Sequence, residues 1–245
     1  MNDAAACEKW HHRCRDMAAQ EKVRLLSQVS LFEPLSAEEI VLLSQRIPDI
    51  RLGRGQILYT PVHSAAMLYL LLEGRMSLYM MVGSRQLTLE VLGSGMLFGE
   101  AVLANRPQGT YAQALESSWI TLVSLNVLRR LMQSNPEVSQ KLAALLVERL
   151  QRYGSRMADI ALKEVAWRLA SLIQQLCETE GVVSGESYRI PTHYTHDQLG
   201  TMIGAKRVAI TRAFAQLSET GGVELRNRII HIRDLEALKH FTGEP

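Results

Sequence analysis

The chain of 245 residues is poor in aromatic side chains (6%), has three cysteines and seven prolines, and sets 27 Lys and Arg against 25 Asp and Glu for a net charge of +2. Each scarcity excludes something. Cys7, Cys14 and Cys177 are too few and too scattered for a disulfide framework or a four-thiolate zinc site, and one chain cannot assemble a four-cysteine iron–sulfur cluster from them. No apolar run approaches the roughly 18 residues needed to cross a bilayer. Residues 1–13 hold charged and His side chains where a signal peptide needs an apolar stretch. These features predict a cytoplasmic protein with no membrane partner. The sequence also lacks G-x-S-x-G, a phosphate loop, H-E-x-x-H and a redox-spaced cysteine pair, which argues against an enzyme. Apolar residues, by contrast, make up 47% of the chain, ample for two cores. A near-zero net charge neither demands nor forbids nucleic acid, so its distribution must decide.

The pattern along the chain predicts an α+β protein in four pieces. Residues 1–29 read as a helical N-terminal extension, ending at the break Phe32-Glu33-Pro34. Ser36 with Glu39 forms a capping box, each side chain satisfying an orphan backbone N–H, and opens a helix over 37–46. From 49 to 124 short strands (57–59, 67–72, 76–82, 87–92, 120–124) alternate with Gly53, Gly55, Gly74, Gly83, Gly93, Gly95 and Gly99, where tight turns call for positive φ. Val82-Gly83-Ser84 reads as a hairpin turn. With no helical crossovers between them, such strands imply an antiparallel β-roll over 30–135 rather than a βαβ fold.

Asn135-Pro136-Glu137 opens a long helix over 136–161, with proline in the first turn where its missing N–H costs nothing. Val138, Leu142, Leu146, Leu150, Tyr153, Met157 and Ile160 recur at spacings of three and four, a stripe that predicts burial against the same helix of a second chain. Gly154 interrupts it at a cost of about 1 kcal/mol relative to Ala, which suggests close approach of a partner backbone or a ligand. Over 162–245 a helix (165–177), a loop, a second capping box at Thr195 and Gln198, a turn at Ile203-Gly204-Ala205, a helix from Lys206 to Ser218 and a hairpin of 223–225 with 229–232 give the order of a winged helix–turn–helix.

The second helix of that motif carries the clearest chemistry. Lys206, Arg207, Val208, Thr211 and Arg212 fall on its N-terminal exposed face, where the cations reach phosphates or base edges and valine meets a thymine methyl. Between Lys206 and Arg233 there are six Lys and Arg (206, 207, 212, 226, 228, 233) and two acids (Glu219, Glu224), so positive charge, including Arg226 and Arg228 of the wing, concentrates where a groove would be met.

The glycine-punctuated roll, Phe98-Gly99-Glu100, Asn135-Pro136-Glu137 before a long helix and the terminal Gly204-Ala205-Lys206-Arg207-Val208-Ala209-Ile210-Thr211-Arg212 resemble, in that order, the cyclic-AMP receptor/FNR (CRP/FNR) family of bacterial transcription regulators over residues 30–235. The resemblance implies a homodimer that binds a pseudo-palindromic operator, works with RNA polymerase, and is controlled by an effector where a cyclic-nucleotide-binding-like roll meets the dimerisation helix. The docking geometry of the helix–turn–helix is that of a described family example. By resemblance the effector site comprises Gly99, Glu100, Arg106, Gln108 and Tyr111 with Arg149 and Tyr153 of the long helix. Gln108 and Gly109 replace the Arg-Ser pair that holds the phosphate in cyclic-nucleotide binders, and Tyr153-Gly154 replaces their Thr-Ser pair, so the implied effector is a small molecule other than cyclic AMP. Arg207-Val208-x-x-Thr211-Arg212 resembles the nitrogen-control branch, which implies a GTA-type half-site. Two alternatives stay open: a ligand-free regulator controlled by its abundance, and a haem- or metal-dependent sensor using Cys7, His11 and Cys14, which would share a helix face at spacings of three and four.

Overall fold

The computed structural model describes residues 19–63, 66–185, 187–220, 222–226 and 229–243. The expected extension is thus seen only from residue 19, as a helix α1 over 19–27, and Cys7, His11 and Cys14 lie outside the described residues. The chain divides into two compact units, Met1–Met80 with Glu90–Arg149 and Met81–Leu89 with Leu150–Pro245.

The first unit contains most of the roll, whose strands β4 and β5 run into Met81–Leu89 of the second. Eight strands, β1 (Asp49–Leu52), β2 (Ile57–Tyr59), β3 (Met67–Glu73), β4 (Met76–Val82), β5 (Arg85–Leu92), β6 (Leu97–Phe98), β7 (Tyr111–Ala114) and β8 (Ser118–Ser124), form two sheets of order β1-β8-β3-β6 and β2-β7-β4-β5. The paired registers are antiparallel, as in Asp49↔Thr121 and Tyr69↔Leu122. β3 shows why the run MLYLLLE becomes a central strand: alternate residues serve different cores. Leu68, Leu70 and Leu72 join Phe32, Ile40 and Leu43 beneath the helices, while Tyr69 and Leu71 face Phe98, Met76 and Ile120 inside the roll. Burial of one such leucine contributes about 1.5–3 kcal/mol.

α2 (Ala37–Arg46) has the expected capping box, with the Glu39 N–H donating to Ser36 Oγ at 3.3 Å and the Ser36 N–H donating to Glu39 Oε2 at 2.8 Å. Those bonds hold the Glu39 carboxyl below its ordinary range. Of the glycines expected at positive φ, Gly55, Gly74, Gly83, Gly95 and Gly99 have it, whereas Gly53 and Gly93 do not. At Gly74 a Cβ would lie 2.5 Å from the Ser117 carbonyl oxygen, so the turn excludes any side chain. β1, β6, β7 and helix α3 (Leu125–Ser134) were not expected from the sequence. The strands are short, and α3 follows β8 with only Ser124 as its signal, its hydroxyl accepting from the Val127 N–H at 3.3 Å.

α4 (Pro136–Leu162) matches the expected long helix. Asn135 starts it, its Oδ1 accepting from the Glu137 N–H (3.2 Å) while its amide donates to the Pro34 carbonyl (2.9 Å). The stripe divides differently from expectation. Val138 (0% exposed) and Leu142 (4%) are consumed by the first unit's own core, with Leu146 packed on it, and Tyr153 and Ile160 are half-buried. The exposed stripe is instead Ala143, Val147, Leu150, Gly154, Met157 and Ala161, at alternating spacings of four and three.

The second unit contains α5 (Val165–Glu180), β9 (Val182–Ser184), β10 (Ser187–Ile190), α6 (His196–Ile203), α7 (Arg207–Glu219), β11 (Val223–Arg226), β12 (Ile229–Ile232) and α8 (Leu235–Thr242). α5 packs on α7 and α8, with Leu169, Ile173, Leu199, Ile210 and Leu217 fully buried. The segment read as a loop after α5 forms β9 and β10, so the wing is one side of a four-stranded sheet of order β11-β12-β10-β9. The second capping box is present at Thr195 and Gln198, and α6 ends on Gly204 at φ 67°. Two arginines satisfy its last carbonyls, Arg156 donating to Met202 and Arg168 to Ile203. Arg156 also donates to the carbonyls of Thr88 (2.6 Å) and Leu89 (2.9 Å), which belong to this unit. Among the described residues no helix is long and apolar enough to cross a membrane.

Candidate nucleic-acid interface and ligand site

The helix–turn–helix is held by side chains too small or too constrained to be replaced. A Cβ on Gly200 of α6 would stand 2.6 Å from the Ala205 carbonyl oxygen, so glycine there sets how closely α6 approaches the turn. α7 then turns Ile210, Ala213, Phe214 and Leu217 inward. What remains outward is the predicted set: Arg207, Val208, Thr211 and Arg212 are exposed, and Lys206 is the N-cap. Val208 is 62% exposed, an apolar side chain given to solvent in an otherwise cationic surface. Lys206 cannot cap, so no side chain accepts from the first N–H groups of α7, and these donors with two neighbouring cations suit an anion such as a DNA phosphate. An open groove of about 420 Å³ runs between the start of α5 and this face, lined by Lys206, Val208 and Arg212 with Glu164 and Val165 opposite.

His196 and Asp197 form the first turn of α6. Here they steady the recognition face. His196 stacks on Phe214 (5.4 Å, 17°), and its Nδ1 lies 2.9 Å from Thr211 Oγ1. Asp197 stands 3.9 Å from Arg207 Nη1. The wing is less cationic than its composition suggests, because Glu224 pairs with both Arg226 and Arg233. The hydrogen bond from Arg226 chiefly holds the Glu224 carboxyl below its ordinary range. Arg228 lies outside the described residues.

In the first unit Gly99, Glu100, Gln108 and Arg149 come together. Gly99 has φ 83°, and a Cβ there would meet the Tyr69 ring at 2.7 Å, so the turn that presents Glu100 is locked by packing. Arg149, with a side chain 9% exposed, places Nε 3.1 Å from Glu90 Oε2 and donates from Nη1 to Glu100 Oε2 (3.0 Å) and from Nη2 to the Leu97 carbonyl (2.6 Å). Gln108 is 5% exposed and donates to the Gly99 carbonyl at 2.7 Å. Below them Tyr69 lies between Tyr59 and Phe98, each ring 5.3 Å away, and burial pushes the Tyr59 phenol well above its ordinary pKa. Arg106 is exposed to solvent, and Tyr111 stacks on Tyr79 (5.0 Å, 10°). Tyr153 is half-buried in the second unit.

Glu90 is the residue that sequence reasoning missed. The signal for it was its phase on β5, where it shares a face with the buried Thr88 and Leu92, an acid at an inward position that must find a partner. Among the described residues no group of three or more His, Cys, Asp or Glu is arranged to hold a metal ion.

Residues 49–135 match the cyclic nucleotide-binding domain family and residues 167–241 the Crp-like helix–turn–helix domain family. The chain is 23% identical over 216 residues to the CRP-like cAMP-activated global transcriptional regulator of Mycobacterium tuberculosis, covering 87% of this chain and 96% of that protein. It is 26% identical over 214 residues to the cyclic AMP receptor protein of Thermus thermophilus, covering 86% and 96%. In fold it resembles a CooA mutant from Carboxydothermus hydrogenoformans, with a TM-score of 0.73 at 20% identity over 90% of this chain and 99% of that one. The roll, the long helix, the winged helix–turn–helix and these similarities together place the chain in the CRP/FNR family of transcription regulators.

Proposed function

We propose that the protein is a cytoplasmic homodimer that reads a pseudo-palindromic operator through α7 and acts on transcription through RNA polymerase. In this reading residues 30–135 are the sensor roll, 136–161 the dimerisation helix and 162–245 the DNA-binding domain. The observation that carries it is the division of α7: Ile210, Phe214 and Leu217 are buried, while Lys206, Arg207, Val208, Thr211 and Arg212 are offered to solvent. Arg207 and Arg212 suit base edges or phosphates, Lys206 and Thr211 phosphates, and Val208 a thymine methyl. Arg226 and Arg228 would follow the backbone from the wing. The dimer reading rests on the exposed stripe of α4, whose alternating spacings of four and three match a coiled-coil seam.

The test is selection of bound sites from random duplex DNA by the purified protein, followed by affinity against salt. The expected sites are two inverted half-sites about 10 base pairs apart, centre to centre, set by the pitch of the duplex. Steep salt dependence should accompany them, from counterions released at each phosphate contact. The resemblance of Arg207-Val208-x-x-Thr211-Arg212 to the nitrogen-control branch favours GTA-type over TGTGA half-sites. A monomer bound to single half-sites, or no sequence enrichment, overturns the reading.

A further inference from the structure

We propose that His196 is a positioning residue that sets base specificity through Thr211. Its imidazole commits the single hydroxyl proton of Thr211 to the protein, so α7 offers the major groove an acceptor there, matched to the exocyclic amino group of an adenine or a cytosine. This role rests on the DNA-binding reading above, and it moves the Thr211 hydroxyl from the phosphate backbone to a base edge.

Three features of the second unit carry it. The first is how the ring is held. His196 opens α6 directly after its N-cap Thr195, whose capping box with Gln198 fixes the turn, and the ring lies on Phe214 at 5.4 Å and 17°. Phe214 is 5% exposed, so the imidazole rests on a side chain that the core of the unit keeps in place. The second is the bond network. Thr211 Oγ1 lies 2.9 Å from His196 Nδ1 and 3.2 Å from the Arg207 carbonyl oxygen. A hydroxyl has one proton and two acceptor lone pairs. With a proton on Nδ1, in the neutral ring or the imidazolium, the ring donates to Oγ1 and the hydroxyl donates to Arg207. With the ring proton on Nε2 alone, the hydroxyl donates to Nδ1. Every form commits the hydroxyl proton within the protein and leaves an acceptor lone pair over. The third is exposure, for Thr211 is exposed together with Arg207, Val208 and Arg212 on the face assigned to the groove. In the major groove adenine N6 and cytosine N4 are donors, whereas phosphate oxygens only accept. An oxygen with no proton to give fits the amino groups and is repelled by the phosphates. Holding the rotor beforehand also removes the cost of ordering it on binding.

The test measures affinity for the selected operator and for operators with each base pair of the half-site replaced in turn. His196→Phe keeps a ring on Phe214 and removes the nitrogen that faces Thr211. It should melt within about 2 °C of wild type and lose about threefold to tenfold in discrimination at one base pair, with the other positions unchanged. Thr211→Val, similar in shape but without the hydroxyl, should lose the same factor at the same base pair. The double variant should lose no more than either, because both changes act on one bond. His196→Asn gives up the stack but carries an amide close to the place of Nδ1, and should recover most of the discrimination. Purine in place of adenine, or 2-pyrimidinone in place of cytosine, deletes the amino group at that position and should cost the wild type that same factor more than it costs Thr211→Val. If His196→Phe does not fold, Thr211→Val and the two base analogues decide. An equal loss on every sequence from Thr211→Val, additive losses in the double variant, or equal sensitivity of wild type and Thr211→Val to the base analogues overturns the proposal and leaves the DNA-binding reading standing. A wild type that enriches no sequence overturns both.

Discussion

The roll and the helix–turn–helix use the same side chain in opposite ways. In the roll Arg149 is 9% exposed and each of its nitrogens faces an oxygen, whereas on α7 Arg207 is 71% exposed with one loose acid 3.9 Å away. The first arrangement is demanding: a buried guanidinium without its carboxylates would lose several kcal/mol. The second is close to free, since an exposed pair contributes about 0–1 kcal/mol. α4 repeats the contrast along its length. Its first turns give Val138 and Leu142 to the core of the first unit, and its later turns leave Leu150 (71%) and Met157 (74%) in solvent. Paired and buried groups are part of the fold, and groups left unpaired are where a partner acts.

The largest expected effect lies on the consumed side. Asp49 accepts from Lys22 Nζ (2.8 Å) and from Trp119 Nε1 (2.7 Å), and Lys22 is buried between α1 and β1. Asp49→Ala leaves that ammonium with only the Ile47 carbonyl and should cost about 3 kcal/mol of stability by denaturant unfolding, with DNA affinity of the folded protein unchanged. Its pH dependence has a definite sign. Burial pushes the Asp49 carboxyl up, but the bonds from Lys22 and Trp119 outweigh it and leave the folded value below the ordinary one. The stabilisation is therefore complete above the unfolded value near 4 and is lost as pH falls through the folded value. Asp49→Asn should flatten the acid limb of stability in that window. An Asp49 variant that lost DNA binding while keeping its stability would break the comparison.

Arg207→Ala is the mirror test. Its stability should stay within about 0.5 kcal/mol of wild type, because nothing in the fold leans on the side chain. Discrimination at one base position should fall by about 1–3 kcal/mol if the guanidinium reads a guanine edge. An equal loss against every sequence would make it a phosphate contact, and the salt slope would then drop by about one.

How far these roles were legible in the sequence follows the range of the interactions. Ser36 with Glu39 and Thr195 with Gln198 were readable because a capping box is complete within four residues, and the α7 face was readable because helical spacing alone defines it. Short strands such as β6 and β7 are defined by partners far along the chain, Leu97 by Leu70 and Tyr111 by Tyr79, and carried no local signal. Glu90 and Arg149 are 59 positions apart, and only the wrong-phase acid on β5 hinted at the pair. The first part of the α4 stripe, Val138, Leu142 and Leu146, was assigned to a second chain because large apolar residues dominate any count of periodicity, whereas the chain's own core takes it. The exposed residues of the helix include Ala143, Gly154 and Ala161 as well as Val147, Leu150 and Met157, of which Leu150 and Met157 were in the stripe as read.

Gly154 gives the smallest expected effect. Its sign can separate what the chain needs from what a partner needs. Within the chain a Cβ at Gly154 would meet nothing within 4 Å, so nothing there calls for glycine. An isolated helix should gain about 1 kcal/mol from Gly154→Ala, visible as higher helix content in the monomer at low concentration. In the proposed dimer, however, the same methyl would stand between two helices packed on the exposed stripe. Gly154→Ala should then raise the dimer dissociation constant by about fivefold to tenfold in sedimentation equilibrium, a loss of about 1 kcal/mol that opposes the helical gain. Opposite signs in the two measurements place the seam on Ala143, Val147, Leu150, Gly154, Met157 and Ala161. A dimer strengthened by alanine would mean that the helices meet on another face.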